Sequence, residues 1–159
     1  MSPNDAERAA LLLLAARRGE TRHADLPEDL RPTTLEHAYA IQDTTVARIG
    51  TIGGWKVSPI RGDTPPNCAP INRMLIERSP ARLAMSSLPR AEVEGEIAVT
   101  LGRDLPPRDE PYGPEDLRAA IASAHPAIEL CCSRYLDRKG ASPLSVVADC
   151  QGNAPFLSR

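Results

Sequence analysis

Glu94 and Glu96 stand two residues apart in AEVEGEIAVTL, residues 91 to 101, where Val93, Ile97 and Val99 alternate with acids as in a β-strand. Side chains on a strand alternate faces, so Glu94 and Glu96 project the same way with their Cα atoms roughly 7 Å apart. Such a pair either lines a solvated strand face, together with Glu92, or holds one cation between its oxygens. Hard carboxylate oxygens favour Mg2+, Mn2+ or Ca2+, and Mg2+ keeps water positions that a substrate oxygen can take. Without a cation or screening water, two like charges at that range raise each other's pKa.

Two other residues carry potential chemistry. Glu129 lies in PAIELCC, among Ile128, Leu130, Cys131 and Cys132. A carboxylate buried there needs a cation or hydrogen-bond donors to offset several kcal/mol of desolvation; alternatively it sits on the wet face of an edge strand or pairs with Arg134. Lys56, between Trp55 and Val57 in a strand entered through Gly53 and Gly54, either snorkels to water or points inward. Turned inward and partly desolvated, it loses pKa and can act as an acid or base. His23, His37 and His125 lack metal-ligand spacing and read as surface or helix-end residues.

The elements that position these groups follow from periodicity and punctuation. Residues 5 to 18 predict a helix with Asp5 near its start, Arg17 and Arg18 in its last turn and Gly19 beyond. Residues 20 to 32 read as a connector, and a second helix starts after Thr33 or Thr34 and ends at Gly50. GGWKVS predicts a strand, and residues 59 to 72, with four prolines, no regular element. RMLIE and ARLAM are short strand candidates, followed by the strand 91 to 101. A third helix opens at Pro114 and is stopped by His125 and Pro126. AIELCCSRYL (127 to 136) and LSVVADC (144 to 150) predict strands, while NAPFLSR offers no terminal element to cover a sheet edge.

Composition limits the functional classes. With 19 basic and 21 acidic side chains the formal charge is −2, which disfavours nucleic acid and anionic membranes as partners. The longest apolar run, AALLLLAA at 9 to 16, falls short of the ~20 residues that span a bilayer, and the four cysteines show no CxxC pair. These features predict a soluble cytoplasmic protein with reduced thiols. Sixteen prolines and few aromatics predict a loop-rich α+β domain.

GWKVS, EVEGEIAVTLGRDLP, HPAIELCCSRYLD and VVADCQGN together, in this order and spacing, resemble the 2-keto-4-pentenoate hydratase group of the fumarylacetoacetate hydrolase superfamily, over residues 38 to 153. That group includes 2-oxo-hept-3-ene-1,7-dioate hydratase and 4-oxalocrotonate decarboxylase. The resemblance implies an N-terminal helical region (1 to 52) followed by part of a mixed β-roll (53 to 159), incomplete at its C-terminus. It also implies Mg2+ or Mn2+ on Glu94, Glu96 and Glu129, Lys56 as acid/base or anion holder, and Asp149 near the substrate, with no organic cofactor. The activity implied is a lyase, hydratase or decarboxylase, acting through a metal-stabilised enolate on small 2-keto acids of aromatic catabolism, in a homo-oligomer. A truncated ligand-binding or assembly module and an acylpyruvate C–C hydrolase are the alternatives. Cys131 and Cys132 stand where the group usually carries an acid, ADC replaces ADN, and the loop after GWK offers Asp63 but no carboxylate in NCAPINRM.

Overall fold

A computed structural model describes the chain except for residues 61, 63, 64, 89 and 159; Asp63 thus lies outside the described residues. Helix α1 (Pro3–Arg17) is opened by a capping box in which Ser2 and Asp5 satisfy each other's backbone N–H, with Pro3 in the first turn, where its missing donor costs nothing. Helix α2 (Leu35–Ile49) starts where Thr34 Oγ1 accepts from the His37 N–H and stops at Gly50, whose φ of 112° suits glycine. Ala6, Ala9, Ala10 and Leu13 of α1 bury against Ala38 and Ile41 of α2, small residues that let the helices approach closely.

LSVVADC forms a helix instead of a strand: α4 (Pro143–Ala148) starts at the favourable first-turn Pro143. Its Val147 and Ala148 complete the α1–α2 core together with Tyr135, whose hydroxyl donates to the Ser145 carbonyl. Burial on the helical layer outweighs the β-propensity of Val146 and Val147. Buried Gln42 ties the layers together by donating to the Val147 carbonyl at 2.6 Å and the Cys68 carbonyl at 3.2 Å.

Two sheets follow. β1 (Ile52–Val57) pairs antiparallel with β2 (Cys68–Asn72), so part of the segment expected to be irregular is a strand, despite Pro70. A two-stranded ribbon has only edge strands, where a missing N–H is tolerated. The second sheet has the order β3 (Ile76–Arg78), β6 (Asn153–Ser158), β5 (Ile121–Cys131) and β4 (Glu92–Leu101), with β3–β6 parallel and the remaining pairs antiparallel. The architecture is thus α+β, with N-terminal helices and a mixed sheet.

Four further expectations are corrected. RMLIE yields a 3-10 turn at Arg73–Leu75, capped by the Asn72 side chain, before the strand begins at Ile76. Residues 81 to 85 form no strand among the described residues and lead into a 3-10 turn, Met85–Ser87. The third helix, α3 (Pro114–Ala120), ends early, and β5 runs straight through His125 and Pro126. Among the described residues the β6 partners reach only to Ile128, so no described ladder bond on that side calls for the N–H that Pro126 lacks. Finally, the C-terminal residues form β6, an interior strand between β3 and β5.

The faces of β4 settle what its alternation means. Glu94, Glu96 and Ala98 turn inward and are half-buried, whereas Val93, Ile97 and Val99 are 50–72% exposed. Ile128 of β5 shares that outer face, so the carboxylate side is the one enclosed by the fold and the apolar side faces out.

Candidate metal centre

Lys56 reaches the second sheet because β1 crosses close to the turn at Arg73. A Cβ on Gly53 would stand 2.7 Å from Arg73 Cα and 2.8 Å from Ile76 Cδ1, so only glycine permits this approach. Lys56 sits on the inward-facing side of β1, with its side chain 10% exposed. Its Nζ lies 2.7 Å from Glu129 Oε2, 3.2 Å from Glu94 Oε2 and 3.8 Å from Cys131 Sγ. Glu94 and Glu129 face each other as register partners across β4 and β5. Residues 38 and 73 positions apart from Lys56 therefore converge on its ammonium.

The charges of this group are coupled. Burial alone would lower the pKa of Lys56, but Glu129 and Glu94 hold it above the ordinary lysine value. Burial raises Glu129 above the usual carboxylate range; Lys56 opposes that, while Glu94 and Glu96 add to it. Glu94, a third exposed, would also be raised by burial, yet Lys56 and Arg138 bring it below its ordinary value. Cys131 is pushed up to about 12, chiefly by burial.

Of the sequence-derived residues, Lys56, Glu94 and Glu129 meet. Glu96 is on the same face one pleat further along, opposite Ala127, and lines the cleft beside them. Asp149 is placed differently: 2% exposed, it accepts from Arg134 Nε at 2.5 Å and from the Arg134 backbone N–H at 3.0 Å. Arg134 also donates to the carbonyls of Cys132, Asp149 and Asn153, so it pairs with Asp149 and not with Glu129. The pair braces the start of β6 against the end of β5.

Periodicity did not bring out Arg138, whose Nη1 contacts Glu94 Oε1 at 3.2 Å and Glu92 Oε2 at 3.4 Å. It follows an irregular turn that carries no repeat. Cys131 was within reach of strand parity, being two residues after Glu129 on the same face. His125, at mid-strand and not at a helix end, has Nε2 2.6 Å from Ser158 Oγ. A cleft of about 690 Å3 between the two sheets is lined by Lys56, Arg73, Arg78, Glu96, His125 and Glu129. A second, of about 650 Å3, is bordered by Lys56, Glu94, Glu96 and Arg138, so the cluster sits where the two openings meet.

The donors fit a divalent cation. Glu129 is 1% exposed, and its Oε1 has no hydrogen-bond partner among the described residues. The Lys56 contact to Oε2 is an ion pair without hydrogen-bond alignment. A buried carboxylate oxygen with nothing to accept from calls for a partner, and a cation is one that its charge suits.

Neither protein-family models nor curated protein sequences give a match to this chain. Two solved structures of 4-oxalocrotonate decarboxylase from Pseudomonas putida G7 do, one complexed with magnesium and adipate and the other with calcium and acetate. Each superposes with a TM-score of 0.81 at 23% identity, covering 100% of this chain and 64% and 63% of the matched chains. The chain thus spans slightly less than two thirds of the length of the structures it matches. Its fold is that of these 4-oxalocrotonate decarboxylase structures.

Proposed function

We propose that the protein is a divalent-metal-dependent lyase that decarboxylates or hydrates small 2-keto acids, with Glu94, Glu96 and Glu129 holding Mg2+ or Mn2+. The observation that carries this reading is the buried, unpartnered Glu129 oxygen beside Glu94 and Lys56. It occurs in a fold whose solved examples hold magnesium or calcium. When bound, the cation supplies positive charge against the oxygen that becomes negative during C–C cleavage or proton transfer.

The chain's own groups divide the remaining work. Lys56, held protonated, is an acid and an anion holder at neutral pH, not a base. Arg73 and Arg78 also line the cleft and suit the second carboxylate of a keto diacid. That favours decarboxylation of a vinylogous keto diacid over hydration of a monoacid. Asp149 would serve the substrate through Arg134 and the β5–β6 brace, because both its oxygens are already engaged. The exposed face of Val93, Ile97, Val99 and Ile128 suits a second copy of the chain, making the working form a homo-oligomer.

The test supplies the full chain with Mg2+ or Mn2+ and a vinylogous 2-keto diacid, a 2-hydroxydienoic acid or an acylpyruvate. Carbon dioxide release, water addition and acyl hydrolysis are followed separately. Metal-dependent carbon dioxide release that disappears in E96Q supports the proposal. Unchanged turnover in E96Q, or turnover indifferent to chelator, overturns it. For the oligomer, light scattering should show I97K reduced to a smaller species; a wild-type monomer contradicts the assembly.

A further inference from the structure

We propose that Cys131 is a ligand of this centre, so that a thiolate beside Glu94 and Glu129 favours a borderline-soft ion such as Co2+ or Zn2+ over Mg2+ or Mn2+. This rests on reading the cluster as a metal centre and deepens it by naming a soft donor.

One oxygen of Glu94, one of Glu129 and Cys131 Sγ all lie within 4.8 Å of one another. Three points so spaced share a position no more than about 2.8 Å from each, about half an ångström beyond ordinary first-shell lengths near 2.0–2.3 Å. The Lys56 ammonium, at 2.7, 3.2 and 3.8 Å from donors on the same three side chains, shows that they converge on one positive charge, whose place a bound ion takes as the lysine side chain moves aside. The unpartnered Oε1 of Glu129, on a side chain 1% exposed, is the independent sign that Lys56 alone does not satisfy this carboxylate.

The chemistry of the donors sets the preference. An all-oxygen set suits Mg2+, whereas one thiolate raises affinity for later first-row ions. On binding, the Cys131 S–H bond breaks and a sulfur–metal bond forms; the proton leaves to solvent and the ion gives up a water ligand. Cys132, next along the chain, packs with Leu88 and Ala154 instead, which makes it an internal control.

The experiment titrates the metal-free full chain with Co2+ and follows the near-ultraviolet band that arises only from sulfur-to-cobalt charge transfer, with calorimetry in parallel. Wild type and C132S should show the band, and C131S should lose it, with Co2+ affinity reduced about tenfold or more. C131A, checked for folding by circular dichroism, should behave as C131S does. Calorimetric Co2+ binding without the band, or a band that persists in C131S, overturns the sulfur ligand and leaves an oxygen-only centre standing. Failure of the wild type to bind Co2+, Mn2+ or Mg2+ overturns both readings.

Discussion

Replacing Lys56 with Met keeps most of the aliphatic stem and deletes the charge that faces Glu129. Glu129 is 1% exposed and Lys56 10%, so the 2.7 Å contact is a buried pair rather than a surface one. At an effective dielectric near 20 the attraction is about 6 kcal/mol, most of it offset by desolvation of both groups. Removing one partner leaves the other charge uncompensated, which typically costs about 3–5 kcal/mol. Glu94 contributes less to the loss, since it is a third exposed and keeps Arg138.

The pH dependence gives the sign. Glu129 already has a folded pKa above its unfolded value, and losing Lys56 raises it further. The folded state then binds the proton more tightly, so Glu129's own contribution to the stability of K56M is full below about 4.3 and is lost as pH rises through the raised folded value. Urea unfolding should therefore find K56M close to wild type near pH 5 and about 3–5 kcal/mol less stable near pH 8. K56M/E129Q should recover most of that loss. A divalent cation at 100 times its dissociation constant should return about 2.7 kcal/mol to K56M. A loss below about 1 kcal/mol near pH 8, or one equally large near pH 5, would refute the assignment of Lys56 as the counter-charge of Glu129.

Two further perturbations separate scaffold from site. D149N removes the charge opposite buried Arg134 and should lower stability by about 3–5 kcal/mol in urea unfolding while metal affinity changes less; a raised KM at unchanged stability would instead put Asp149 on the substrate. G53A places a Cβ 2.7 Å from Arg73 Cα and should cost about 1–3 kcal/mol and reduce turnover by displacing Lys56, whereas wild-type melting and activity would show that β1 can shift freely.

Local signals carried the parts of the fold that are set locally. Thr34 and Gly50 bound α2, and strand parity alone puts Glu94 and Glu96 on one face. The segments that eluded sequence reasoning are those whose conformation depends on distant partners. LSVVADC is helical because its apolar side completes a core with residues more than 100 positions earlier. Pro126 sits within a strand that pairs with β4 along its length, while the described β6 ladder reaches only to Ile128. The pairing of Glu129 with Lys56, and of Arg134 with Asp149, likewise follows from tertiary placement and has no periodic trace. The enclosed face of β4 carries charge because the fold places an ammonium and a second carboxylate against it, a reversal of the usual apolar-inward pattern.

The proposed chemistry requires that Glu94 and Glu129 grip a cation to which a small oxyacid adds. Its most direct test is the water-proton relaxation of Mn2+ bound to the full chain, before and after oxalate, in wild type and E129Q. An enhanced relaxation rate is expected in the wild type that drops when oxalate displaces bound water, with no enhancement in E129Q. Equal enhancement in E129Q, or no response to oxalate in the wild type, would contradict it.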